Sequence, residues 1–395
     1  LCLPLPTTSN SEQMKMSIIC HKFCLLIILL SGCLERYEPP VIRDNPEFLV
    51  VDAFINVNDS TANAIITRSA ILGSGLAPEP ETNAQVTIEE EGGTIFQLTE
   101  NKAGAYDGAG LNPDMNKKYR LHIITRNSDE YLSDFITLKN TPPIEDLSWN
   151  IVGNGVQIHL DTRDPEGKSQ YYKWNYEETW EYNAPVEAKL RLVNGIFTYI
   201  KAEESVYTCW RTIPGTHVLV TTTNRLRQDV VNDFKIQFIP AKSIYLSKKY
   251  SIIVQQQTLS EDGYNYWLTL QKTTEDLGSL FDPMPSQVIG NIYCVNNPDE
   301  PVIGYFDGGS ISEKRIFIDA NDLPGHIRGR SFNRDCTLDS VIFDNPSMPT
   351  GNASFVVSNF SDPTNPKKNG YLKTSPGCYN CTSQGGVTVK PGFWE

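Results

Sequence analysis

No apolar run in this chain approaches the roughly 20 residues that a membrane-spanning helix needs. The run at 23–30 (FCLLIILL) is far too short. Positive charge is also scarce: 34 Lys and Arg face 47 Asp and Glu, for a net charge of −13. That balance excludes nucleic acid as a partner, because such binding comes mainly from neutralised phosphates. It also sets the chain against anionic lipid surfaces. Catalytic signatures are missing too, with no G-x-S-x-G, no H-E-x-x-H and no phosphate loop. His122, His159, His217 and His326 are scattered, and the first two fall in alternating strands, where a paired structural imidazole is expected. A glycosidase's carboxylate pair is defined by spatial separation, and nothing in the sequence selects one. Internal repeats and low-complexity tracts are absent. No enzyme activity and no cofactor are expected.

What is present begins with the short apolar run itself. Lys15 and Lys22 precede it, and Leu30-Ser31-Gly32-Cys33 follows. Charge, length and small-residue ending are those of a secretory signal. The ending resembles a bacterial lipobox, in which Ser31 and Gly32 give a peptidase access and the Cys33 thiol takes the lipid. Residues 1–33 are therefore read as upstream sequence and lipoprotein signal peptide, with Met14 or Met16 as the start. A two- or three-chain anchor holds far more firmly than one myristoyl chain. The leader carries Lys15 and Lys22 against Glu12, so the chain beyond it is more acidic still. Residues 34–46, charged and proline-rich, read as a linker. Leu34 stands where some bacterial lipoproteins carry an inner-membrane-retaining Asp, which favours the outer membrane.

A hydrophobic fraction of 39% permits packed cores. The chain beyond Cys33 is longer than one core usually serves, so two domains are expected. From residue 47 the pattern has period two: FLVVDAFINV, ANAIITRSA, AQVTIEEEG, TIFQLTE, KYRLHIITR and EYLSDFITL, divided by turn clusters. Residues 47–140 are read as an immunoglobulin-like antiparallel β-sandwich. Residues 141–395 are read as a second β-rich domain with one helix and an irregular, cysteine-containing tail. Its long strand is 171–182 (YYKWNYEETWEY). Ser260 caps the helix, Tyr266, Leu268, Leu270 and Leu277 form its apolar face, and Gly278 stops it. The fold class is mainly β.

The segments 264–292 (YNYWLTLQKTTEDLGSLFDPMPSQVIGNI), 302–306 (VIGYF) and 312–318 (SEKRIFI) resemble Bacteroidota lipoproteins of domain-of-unknown-function family 4249. The opening FLVVDAFI agrees with this. So does the ending, with Cys378-Tyr379-Asn380-Cys381, Gly385-Gly386 and Lys390-Pro391-Gly392-Phe393-Trp394. The resemblance implies an outer-membrane lipoprotein working beside a TonB-dependent transporter of the SusC type, and it carries over no catalytic residue. The residues themselves read structurally: Gly278 and Gly290 permit turns, Pro283 and Pro285 fix an extended segment, and Phe281 and Tyr305 are core.

Export makes disulfides possible. A disulfide is expected between Cys336 and one of Cys378 and Cys381, or within that pair, pinning the tail. Competing readings are a zinc site on Cys336, Cys378, Cys381 and His326, without regular spacing for its second pair, and a redox pair, without the βαβ context. Cys209 is read as a core residue or a partner of Cys294. Tyr172, Trp174 and Tyr176, continued at Trp180 and Tyr182, offer a stacking platform for sugar rings, against the plainer reading of a strand's inward face. Asp161, Asp164 and Glu166, like Asp319, Asn321 and Asp322, bring oxygen ligands together but lack the calcium-loop spacing, so no metal is assigned. Asp59-Ser60-Thr61 and Asp339-Ser340-Val341 resemble an O-glycosylation motif of exported Bacteroidota proteins. The expected role is an outer-membrane, lipid-anchored accessory or substrate-capture protein that works with a TonB-dependent transporter in nutrient uptake, on a small ligand the sequence does not name. The alternatives are a surface hydrolase of glycans or peptides and a structural envelope protein.

Overall fold

The computed structural model describes residues 48–69, 77–274, 288, 290–330, 335–343, 353–360 and 369–394. Leu30, Ser31, Gly32, Cys33 and the 34–46 linker lie outside the described residues, as do Leu277, Gly278, Phe281, Pro283 and Pro285.

The described residues open with β1 (Leu49–Asn56), β2 (Thr61–Arg68), β3 (Glu79–Pro80), β4 (Gln85–Glu90), β5 (Ile95–Lys102), β6 (Ala105–Ala109), β7 (Lys118–Ile124), β8 (Glu130–Ser133) and β9 (Ile136–Thr137). Next come β10 (Ile144–Val152), β11 (Gly155–Asp164), β12 (Tyr171–Asn183), β13 (Leu190–Val193), β14 (Ile196–Tyr199), β15 (Thr208–Pro214), β16 (Leu219–Thr222), β17 (Asp229–Pro240) and β18 (Lys249–Thr258). Helix α1 (Glu261–Thr274) precedes β19 (Ile292–Cys294), β20 (Val302–Gly309) and β21 (Ser312–Asp319). The tail adds β22 (Asp339–Ile342), β23 (Ala353–Val356), β24 (Ser358–Phe360), β25 (Gly370–Lys373) and the short α2 (Pro376–Tyr379). The fold is mainly β.

The first sheet curls around one core. Its path is β19-β8-β7-β4-β5-β6-β2-β1-β20, with β3 and β9 as side branches. Alternation does the work: Leu49, Val51, Ala53 and Ile55 of β1 point inward and meet Val86, Ile88, Tyr119, Leu121 and Ile123 from β4 and β7. The expected amino-terminal β-domain is thus present as one curled, mostly antiparallel sheet, but residues 47–140 do not complete it. Strands β19 and β20, from 292–309, form both ends of the path, and β20 lies parallel to β1 in a register that sets Val51 beside Gly304. Gly290 and Gly304 permit a close approach of backbones here. An added Cβ would lie 1.6 Å from the Gly304 carbonyl oxygen in the first case and 2.2 Å from that of Val51 in the second.

A second core lies between the β10-β11-β17 sheet and a five-stranded sheet ordered β15-β12-β18-β21, with β16 also on β12. Tyr172, Trp174, Tyr176, Trp180 and Tyr182 of β12 all enter it. Trp174, fully buried, donates from Nε1 to Gln256 at 2.9 Å. Gln256 in turn donates to the Pro142 carbonyl at 2.8 Å and to Thr162 Oγ1 at 2.9 Å, so this buried polar group is satisfied. Glu178, also buried, accepts from Tyr250 Oη at 2.7 Å and Gln237 Nε2 at 3.1 Å. Burial raises its pKa despite those two bonds.

The tail is fastened to this second core. Cys209 is bonded to Cys381 and Cys336 to Cys378. The expected bridge from Cys336 to the tail pair is therefore present, with Cys378 as its partner, whereas two other pairings are overturned. Cys378 and Cys381 do not join each other, because α2 and the turn after it aim the two thiols at different elements. Cys209 does not meet Cys294, which is a buried free thiol in the first core. Tyr182 Oη donates to the Cys381 carbonyl at 2.9 Å, and Trp394, nearly buried, donates from Nε1 to Glu181 at 3.2 Å. A small cluster of Leu190, Leu192, Phe343 and Val356 holds the hairpin β13–β14 to β23.

Candidate functional site

The aromatic stripe does not form a ligand platform. Tyr172 and Trp174 are 0% exposed and Tyr176 5%, and the Trp174 ring packs 4.2 Å from that of Phe234. No sugar can reach them. The proposed zinc ligands are no better placed, since three of the four are disulfide sulfurs. Among the described residues no group of three His, Cys, Asp or Glu side chains could hold a metal ion. Asp164 accepts the backbone N–H groups of Glu166, Lys168 and Ser169, and those bonds outweigh burial to lower its pKa. Asp161 accepts from the backbone of Asp233 and Asp319 from that of Asn321. Asp164 and Asp319 thus cap turns, and Asp161 bridges the irregularity in the β11–β17 pairing. His122 sits between Glu89 at 2.8 Å and Glu130 at 2.9 Å, and His159 between Asn150 at 3.0 Å and Asp233 at 2.6 Å.

The side of β12 opposite the stripe is polar, and there a site takes shape. Because side chains alternate along a strand, Lys173 and Asn175 face away from Tyr172 and Trp174. On the neighbouring β18, Gln257 lies directly across from Lys173 and Gln255 across from Asn175. These four form one wall.

The other wall belongs to the first sheet. On β1, Asp52, Phe54 and Asn56 point away from the first core. The pairing register places Phe54 beside Asn63 of β2 and Asp307 of β20, and Asn63 beside Asp107 of β6. One row, Asp107-Asn63-Phe54-Asp307, therefore crosses four strands. Trp267 of α1 and Tyr305 of β20 also line the space. The two walls enclose a cavity of about 560 Å³, within the range typical of small-molecule sites.

Helix α1 is set by its cap. Ser260 Oγ accepts the Gly263 N–H at 3.0 Å and lies 3.1 Å from Tyr305 Oη. Tyr266 is buried as expected, while Leu268 and Leu270 are only half-buried. Gly263 lets the first turn close over Asp307, since an added Cβ would stand 3.2 Å from its Oδ2.

The deep end holds two charged groups with unmet bonding capacity. Lys173 is 8% exposed and Asp307 7%. The Lys173 ammonium has no hydrogen bond or ion pair among the described residues, and it sits over the Trp267 ring, 3.5 Å from the centroid. Asp307 Oδ1 accepts the Gly308 N–H at 2.8 Å, but Oδ2 has no partner. Burial pushes the Asp307 carboxyl up to about 7, against the pull of that N–H, Lys173 and Lys139. Burial lowers Lys173, against Asp52 and Asp307. Asp52, Asn63 and Asp107, by contrast, stand exposed at the mouth.

Asp307 and Tyr305 also border a second cavity of about 560 Å³, between α1 and residues 134–137. Tyr305, expected as a core residue, is buried but stands between these two spaces. Burial raises its hydroxyl to about 12.

Residues 35–315 match the family described as Domain of unknown function (DUF4249). The chain belongs to this family. The matched region contains both walls of the cleft and α1, and ends before Cys336, Cys378 and Cys381. No match was found among curated proteins. Among solved structures, a DUF3823 family protein from Bacteroides ovatus is similar at 10% identity, covering 54% of this chain and 91% of its own, with a TM-score of 0.14. A likeness at that score says nothing about the site. No helix among the described residues is long and apolar enough to cross a membrane.

Proposed function

We propose that this DUF4249 protein is a lipid-anchored capture protein of the outer membrane, holding a small polar ligand for a TonB-dependent transporter of the SusC type. The observation that carries the binding part is the cleft. Lys173 and Asp307 are each more than nine-tenths buried; Asp307 Oδ2 is buried without a partner, and the Lys173 ammonium makes only its contact with the Trp267 ring among the described residues. Leaving a buried polar group unmatched costs about 1–3 kcal/mol, a cost that a bound ligand's complementary groups would offset. The lipobox-like Leu30-Ser31-Gly32-Cys33 supplies the anchoring part. Tethering confines the protein to two dimensions beside a partner and raises effective concentration without new contacts.

Two measurements test this reading. Mass spectrometry of the native protein is expected to show a mature chain beginning at an acylated Cys33. Affinity purification through a carboxyl-terminal tag from mildly solubilised membranes is expected to bring down a TonB-dependent transporter in stoichiometric amount. An unacylated chain in the cytosol would remove the anchor, and a preparation without transporter would remove the partner.

A further inference from the structure

We infer that the cleft between β12–β18 and β1–β20 binds a neutral, polyhydroxylated ligand, a mono- or disaccharide. The inference rests on the capture reading and specifies what is captured. Its first support is the pairing of unmet groups. The Lys173 ammonium can only donate, whereas the ionised Asp307 carboxylate can only accept. They project from opposite walls into one cavity. A ligand filling the deep end must therefore accept at one wall and donate at the other. A hydroxyl does both, and adjacent hydroxyls on a sugar ring do so in the two directions at once.

Ligands carrying net charge fit less well. An anion attracted to Lys173 meets Asp307 on the facing wall and Asp52 and Asp107 at the mouth. A cation drawn to the carboxylates meets Lys173. A hydroxyl also suits Asp307 in either protonation state, donating to the carboxylate or accepting from the acid. With burial holding that group near 7, such indifference matters at neutral pH.

The remaining lining agrees. Asn63, Asn175 and Gln257 each offer an amide that donates and accepts, and none makes a side-chain hydrogen bond among the described residues. Phe54 and Trp267 supply aromatic surface among these polar groups, the mixture that fixes orientation in small-molecule sites. An extended peptide is disfavoured by the geometry. Peptides commonly bind by adding a strand to an open sheet edge, whereas both walls here are sheet faces whose backbone groups are spent in ladders.

The test is titration of the solubilised full chain with neutral mono- and disaccharides at millimolar concentration, read by calorimetry and tryptophan fluorescence. Glycine and glucuronate serve as zwitterionic and anionic probes. Saturable binding of a neutral sugar is expected, weakened about tenfold or more by Lys173→Met and by Asp307→Ala, the usual scale for hydrogen bonds to charged groups. Asn175→Ala, at a half-buried position, guards against misfolding of the buried variants, and should weaken binding while preserving circular dichroism. The inference is overturned if no neutral sugar binds, if glycine or glucuronate binds in its place, or if sugar binding is indifferent to all three substitutions. Because transporter co-purification does not depend on the ligand, its result separates failure of this inference from failure of the capture reading.

Discussion

The Lys173 ammonium rests 3.5 Å from the centre of the Trp267 ring, joining β12 to α1 across the roof of the cleft. A cation over a desolvated indole gains about 2 kcal/mol. A double-mutant cycle of Lys173→Met and Trp267→Leu by urea denaturation is therefore expected to give a coupling of about 1–2 kcal/mol. A coupling indistinguishable from zero would show that the contact contributes nothing.

Asp307 makes stability depend on pH in a definite direction. Its carboxyl rises from the ordinary 3.8 to about 7 on folding. Within that window the folded chain holds a proton that the unfolded chain has released, so this group's contribution becomes less favourable as pH rises. The full cost is present above 7. Asp307→Asn keeps an acceptor for the Gly308 N–H and removes the titration. Relative to the native chain, the variant is expected to gain about 2–4 kcal/mol at pH 8, with the gain fading toward pH 4. Thermal melts across that range check it, and a gain that grows with acidity would reverse the assignment.

The two disulfides differ in span. Cys209–Cys381 are 172 residues apart and Cys336–Cys378 are 42 apart. Non-reducing peptide maps should recover these two pairs, with Cys294 unpaired. Replacing both partners of either bridge by Ala is expected to cost about 2–5 kcal/mol, the longer-range pair about 1 kcal/mol more on loop entropy. A map that links Cys378 to Cys381 would contradict the tail's geometry.

Gly304→Ala tests the seam between β1 and β20. The added methyl would meet the Val51 carbonyl oxygen at 2.2 Å, and backbone cannot rotate away as a side chain can. A loss of at least about 2 kcal/mol is expected, read as a lowered denaturation midpoint or failure to accumulate folded protein. Unchanged stability would mean that the two strands are not in this register.

The sequence made the elements legible where a single face is buried. Leu49, Val51, Ala53 and Ile55 announce β1 by alternation, and Ser260 marks the helix start through a bond that the structure contains. The cleft was illegible for a related reason. Lys173 and Asn175 read as the solvated face of an aromatic strand, since nothing local says that a second sheet stands opposite. The available signal was a lysine set among aromatic residues in a strand too apolar to lie on an open surface. Asp307, between Phe306 and two glycines, is in the same position. Its importance comes from strand register with Phe54, which the sequence does not encode locally. Trp267 lay outside the helix's expected apolar stripe because it faces the cleft instead of either core.

The parallel pairing of β1 with β20 also bears on how the molecule comes into being. The first strand finds its final neighbour only when Val302–Gly309 has been made. Until then one rim of the amino-terminal sheet stands open, and such a rim is a template for aggregation. Parallel, long-range pairing is also slow to form. A chain cut short after β18 would carry that hazard permanently, so β20 is as much a seal on the nascent protein as a support for Asp307.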